Sequence, residues 1–246
     1  MSKRLFLFIA LSCVSISLSL AQQERFYGLG KLSSNLITRI TQDSSGFIWI
    51  ATQNGLNKFD GWNFTHYFYN DKDSTSLSGN YIETFFTDDS GSLWIGANRG
   101  LEYYNPYKDS FIHVKFPDNT HPSVRGIIQL HSGEIWIVTG GYGVYSINKQ
   151  TMTATSLTDI NKLLVIPYSN HIFEDRAHQI WIVLSESRMA CISPDKKSVK
   201  TYDLPIDPQY KVYGITEDHM GRMFVATSSC VFLWDIIRQD FMRIKN

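Results

Sequence analysis

The residues of this chain that could do chemistry are scattered, and their types favour recognition over catalysis. The seven histidines fall at 66, 113, 121, 131, 171, 178 and 219, with no HExxH helix, nucleophile elbow or phosphate-cradling glycine loop. Cys13, Cys191 and Cys230 lack the CxxC spacing of a structural zinc site and are too few to staple a scaffold. The last two read as buried thiols. What remains are polar, cationic and ring-bearing side chains in stretches that read as loops: Asn54, Asn98, Arg99, Tyr142 and Glu186, with His121 in a connection. A planar guanidinium and an amphipathic ring suit a polar ligand or an acidic sugar, so Arg99 and Tyr142 are the stronger candidates. No catalytic residue, metal-ligand set or cofactor motif is read, and the expectation is a binding protein that is not an enzyme.

Those loops are set by a repeat. Ile40-Thr-Gln-Asp43-Ser-Ser-Gly46-Phe-Ile-Trp49-Ile-Ala-Thr52 returns as Phe85 to Ala97, with Asp88, Gly91 and Trp94 in the same places. Later copies carry Gly133 and Trp136, then Asp175 and Trp181, then Asp218, Gly221 and Phe224. The tryptophan position recurs at spacings of 45, 42, 45 and 43 residues. Leu130 stands for the aspartate in the third copy and His178 for the glycine in the fourth.

Each copy reads as four short strands. In the first, Leu36 to Gln42, Phe47 to Thr52, Leu56 to Asp60 and Asn63 to Tyr69 are strands, with Asp43 to Gly46 a turn. The second strand is apolar on both faces, which predicts burial on both sides. A unit of this length that stacks on identical neighbours is the arithmetic of a β-propeller blade, and a sandwich or barrel does not call for one tryptophan at such regular intervals. The fold class is all-β, with blades over 36–70, 80–117, 123–157, 170–204 and 211–246. On this reading the tryptophans are inter-blade packing, the aspartates cap turns, and Trp62 is exposed on the face opposite the recognition loops.

Composition agrees. The chain has 246 residues, 43% hydrophobic and 19% charged, enough to bury a core. Lys plus Arg equals Asp plus Glu at 23 each, which argues against a nucleic-acid partner. Residues 1–21 read as a secretory signal: Lys3 and Arg4, an apolar run to Leu20, and cleavage before Gln22. A membrane anchor is a poorer fit because the run is short and broken by serines. Lipidation at Cys13 is also a poorer fit, because the residues before it are a poor lead-in and the apolar run continues past it. Residues 22–35 form a lead-in, with Phe26 to Leu32 as an outer strand of the kind that closes a ring. Five blades with such a strand predict the opening of a larger propeller of the seven-bladed type, a closed five-bladed ring being the alternative. Uncovered blade faces then predict self-association.

The order Asp43, Gly46, Trp49, Thr52, Gly55-Leu56 and Asp60-Gly61, echoed by Asp88, Gly91, Trp94 and Gly100-Leu101, resembles the two-component regulator propeller repeat. That resemblance implies the periplasmic sensor part of a Bacteroidetes hybrid two-component system responding to glycans, with an oligosaccharide or protein ligand and downstream sensor-kinase modules. The alternative is a stand-alone exported propeller. Sialidase-type propeller turns place glycine two residues after the aspartate, whereas here the interval is three.

Overall fold

The computed structural model describes residues 32–164, 170–184, 187–207 and 211–244. The expected signal peptide, the Phe26 to Leu32 strand except its last residue, and Glu186 lie outside them.

Within the unit that begins at Leu32, twenty strands form five four-stranded antiparallel sheets, each from consecutive strands in simple meander order. Blade 1 comprises β1 (Ile37–Gln42), β2 (Ile48–Thr52), β3 (Gly55–Phe59) and β4 (Phe64–Tyr67). Blade 2 comprises β5 (Ile82–Thr87), β6 (Leu93–Ala97), β7 (Gly100–Asn105) and β8 (Ser110–His113). Blade 3 follows with β9 (Val124–Gln129), β10 (Ile135–Thr139), β11 (Val144–Asn148) and β12 (Thr153–Ser156). A short helix, α1 (Thr158–Leu164), follows blade 3. Blade 4 has β13 (His171–Glu174), β14 (Ile180–Val183), β15 (Arg188–Ile192) and β16 (Val199–Asp203). Blade 5 has β17 (Val212–Glu217), β18 (Met223–Thr227), β19 (Val231–Asp235) and β20 (Asp240–Arg243). The fold is a β-propeller, and the inner strands β1, β5, β9, β13 and β17 pack on one another in chain order.

Each tryptophan packs toward the next blade. Trp49 lies with Leu93, Ile95 and Ala97 of β6, Trp94 with Val124, Ile135 and Ile137, Trp136 with Ile180 and Ile182, and Trp181 with Met223, Val225 and Phe232. All four are at most 1% exposed. At roughly 200 Å² of ring apiece, each represents about 5 kcal/mol of gross hydrophobic stabilisation. The second strands β6, β10 and β14 are buried along their whole length. In the outermost blades the expectation of two-sided burial of the second strand fails: Ile48 and Ile50 are half-buried and Ala226 is exposed, because no other blade among the described residues covers those faces.

The aspartate does more than cap its turn. Asp88 Oδ1 accepts the amide N–H groups of Ser90 and Ser92, while Oδ2 accepts the Trp94 indole N–H at 2.9 Å. Asp43 and Trp49 repeat the arrangement at 2.8 Å, as do Asp175 and Trp181 at 2.8 Å. Turn and inter-blade core are therefore one hydrogen-bonded unit. In blade 3, Leu130 removes the acceptor and the buried Trp136 indole N–H has no hydrogen-bond partner among the described residues. In blade 5, where Phe224 replaces tryptophan, the Arg222 guanidinium takes the vacated Asp218 Oδ2 at 2.7 Å and lies over the Phe224 ring. The left-handed residue of the turn has φ between +78° and +89° at Gly46, Gly91, Gly133 and Gly221, and His178 adopts φ +60° in their place, so the turn geometry survives the substitution.

Cys191 is buried, and burial pushes its thiol up to about 12. Cys230 is half-buried rather than buried, and both thiols are free.

Candidate functional site: the loop face and the propeller axis

The pairing of Ile37 with Thr52, Ile82 with Ala97 and Val212 with Thr227 places the start of each inner strand beside the end of the second strand. The β2–β3-type turns, the connections between blades and the first residues of the inner strands consequently share one face. Asn54, Asn98, Arg99, Tyr142 and His121 all lie there and are exposed, whereas Trp62, 66% exposed, sits in the turn between β3 and β4.

Two candidates are brought together. Arg99 and His121 line a cavity of about 160 Å³ with Ser78, His113, Lys115, Asn119 and Thr120. The Arg99 guanidinium lies 5.4 Å from the Tyr69 ring centroid, a cation–π contact that directs it across the blade 1–blade 2 boundary. Asn98 serves the backbone: its N–H donates to the Tyr81 carbonyl, and its side chain lies so close to Gly79 that a Cβ there would overlap it. The Asn54 N–H donates to the Thr52 hydroxyl. Asn54 and Tyr142 do not line the Arg99 cavity.

Beneath this cavity lies a polar pair missed in the sequence. Glu102 on β7 is fully buried, its Oε1 accepts the Ser78 N–H at 2.6 Å, and among the described residues neither its Oε2 nor the Ser78 hydroxyl has a hydrogen-bond partner. Burial pushes the Glu102 carboxyl above its ordinary range, opposed by Ser78 and by the His113 ring. Blade 1 holds the satisfied version. Asn57 accepts the Ser33 N–H at 2.8 Å and returns an N–H to the Ser33 hydroxyl at 2.9 Å. The serines at 33, 78 and 123, each 45 residues apart, were the available signal.

A second set of residues missed in the sequence lines the axis. A cavity of about 480 Å³ is bounded by Arg39, Tyr81, Glu83, Arg125, Asn170, His171, Lys211, Val212 and Tyr213. The device that builds it is a β-bulge repeated in four blades. The ladders of β1, β5, β9 and β17 skip one residue each, so Thr38, Glu83, Arg125 and Tyr213 leave the pairing pattern. Bulges re-aim side chains, and three of these four bulged residues line the cavity. Arg125 is held in place, since Nη1 donates to Asn170 Oδ1 at 2.8 Å and the guanidinium lies against Gly140, where a Cβ would approach it to 2.9 Å. Glu83 accepts the Ser123 hydroxyl at 3.1 Å. Burial first, and then the Arg39 charge, push the His171 imidazole below its usual pKa, so it is neutral at pH 7. Among the described residues no three His, Cys, Asp or Glu side chains gather into a metal-binding group.

These features define a propeller of four-stranded blades, with the Arg99 cavity on its loop face and a larger cavity at its axis. Residues 31–54 match the two-component regulator propeller family, so the chain carries that repeat and the resemblance read from Asp43, Gly46, Trp49 and Thr52 holds. The chain is 38% identical to histidine kinase P4 of Formosa agariphila over 73 residues, which are 30% of this chain and 5% of that protein. Among solved structures it is similar to the extracellular domain assigned to a hybrid two-component system, BT3049, of B. thetaiotaomicron. The identity is 27% and the TM-score 0.76, over 89% of this chain and 31% of the other. Virginiamycin B lyase of Staphylococcus aureus, 13% identical with a TM-score of 0.62 over 85% of this chain and 69% of the lyase, shares the fold alone. The chain thus spans 5% of its curated relative and about a third of the two-component domain. No helix among the described residues is long and apolar enough to cross a membrane.

Proposed function

We propose that this chain is the sensory propeller of an exported signalling protein, directed to the periplasm by residues 1–21, whose loop face receives an oligosaccharide and whose output passes through kinase modules. The observation that carries the reading is the likeness, over 89% of the chain, to the extracellular domain assigned to a hybrid two-component system. The local identity to a histidine kinase supports it. Arg99, Tyr142 and His121 are the proposed ligand contacts, and the reading is non-catalytic. Calorimetric titration of the purified chain with a panel of plant, algal and host oligosaccharides tests it. At least one glycan should bind, and Arg99→Ala should weaken that binding about tenfold. Binding to none of the panel overturns the glycan reading.

A second reading, a stand-alone propeller that contacts another protein, is favoured by apolar exposure at the outer blades, where Ile40, Ile236 and Ile237 are 62%, 74% and 91% exposed. Light scattering that gives a mass above one chain would support such contacts, and a clean monomer would oppose them.

A further inference from the structure

The axial cavity gathers more cationic than anionic side chains among the described residues. Arg39, Arg125 and Lys211 come from blades 1, 3 and 5, and among the described residues Glu83 is the carboxylate lining the same space. The residues are far apart in sequence, so only the curvature of the five inner strands brings them together. Neither Arg39 nor Lys211 forms an ion pair among the described residues. Two such cations facing one concavity repel each other, and an anion between them would relieve that repulsion. The geometry is also prepared for one. Arg125 is fixed by Asn170 and Gly140, Arg39 is exposed at the rim, and the neutral His171 ring and the Tyr81 and Tyr213 phenols add polar groups that can meet further oxygens. The volume, about 480 Å³, lies in the range that accepts small ligands.

We propose that the axial cavity binds a small anion with two or more charges, held through carboxylate, sulfate or phosphate oxygens by Arg39, Arg125 and Lys211. The site is distinct from the Arg99 cavity, and the inference rests on the axial geometry and not on the glycan reading.

The test is titration calorimetry on the purified full chain, at matched ionic strength, with citrate, inorganic phosphate, sulfate and the neutral disaccharide cellobiose as separate arms. Saturable binding of at least one anion at one site per chain, with none of cellobiose to that site, is expected, and comparison of the citrate, phosphate and sulfate arms identifies the preferred oxyanion. Arg39→Gln and Lys211→Gln should each weaken it about tenfold, and Lys108→Gln, an exposed charge in the turn between β7 and β8, should not. Because Arg125 also supports its neighbours, Gly140→Ala is the complementary variant: it displaces the guanidinium while keeping the charge, and affinity should fall. Unchanged anion affinity in Arg39→Gln and Lys211→Gln overturns the proposal, as does anion binding no stronger than cellobiose binding. A chain that binds a neutral oligosaccharide sensitive to Arg99→Ala and ignores all three anions leaves the sensor reading standing and removes this one.

Discussion

Blades 2 and 3 bury the same tryptophan to the same depth, 1% exposed in each, yet in blade 2 the indole N–H donates to Asp88 and in blade 3 it meets no acceptor among the described residues. Blade 3 keeps its turn all the same, because the Gly133 N–H still donates to the Leu130 carbonyl at 2.7 Å and Leu130 adds apolar burial in the aspartate's place. Turn geometry is thus carried by the backbone and the left-handed glycine. The aspartate's distinct contribution is to tie that turn to the inter-blade core, and blade 2 extends the tie to its neighbour through Lys149, 2.7 Å from Asp88.

The largest effect should come from converting blade 2 to the blade 3 state. Asp88→Leu removes three turn bonds, from the Ser90 and Ser92 N–H groups and the Ser90 hydroxyl, together with the indole acceptor and the Lys149 partner, and should cost about 2–4 kcal/mol in urea unfolding. A loss under about 0.5 kcal/mol would mean that the tie is ornamental. The paired substitutions Trp94→Phe and Trp136→Phe sharpen the contrast, since both remove similar volume but only the first breaks a hydrogen bond. Trp94→Phe should be the more destabilising by about 1–2 kcal/mol, and equal losses would show that the indole N–H contributes nothing.

Acid should expose the same difference. Burial works against the Asp88 carboxylate, but Lys149, Ser90 and Trp94 outweigh it and hold the carboxyl well below the ordinary range. Its folded pKa is depressed, so its stabilisation is present above the unfolded carboxylate value, about 4, and is lost as pH falls below it. Melting temperatures from pH 7 to pH 3 should fall less steeply in Asp88→Asn than in the parent chain. Parallel curves would remove Asp88 from the acid response.

The smallest effect concerns Glu102, where blade 1 supplies the template. Its folded pKa is raised, so the favourable contribution exists below the unfolded value and disappears as pH rises through the folded one. Glu102→Gln keeps the acceptor for the Ser78 N–H and adds an N–H for the orphan Ser78 hydroxyl, as Asn57 does for Ser33. It should stabilise the chain by about 1 kcal/mol at pH 7, with the gain shrinking at acid pH. Destabilisation at pH 7 would point to an unrecognised partner for the carboxylate.

Much of this architecture was legible because a repeat states its own period: the Asp-to-Gly turn and the tryptophan marked the blades, and the loop-face residues followed from strand order. That Asp43 and Trp49 act on each other was less visible. Their six-residue offset crosses a turn, and the hint lay in blade 5, where tryptophan and its N–H are lost together and Arg222 enters. The axial cavity was not legible, because a bulge depends on two residues opposing one across a ladder. Glu83 and Arg125 therefore read as ordinary strand positions. Glu102 was hidden by the same cause in reverse, since a charged residue between Leu101 and Tyr103 reads as a solvent-facing strand position when it is fully buried.

Every sheet here is woven from one uninterrupted stretch of chain, with no strand exchanged between blades among the described residues. Loop-closure entropy within a blade is accordingly small, and pairing partners are only a few residues apart along the polypeptide. Such a chain can acquire its structure in the order in which it is synthesised, each new blade finding a finished neighbour to close against. A gene encoding it can gain or lose one period without orphaning a strand elsewhere.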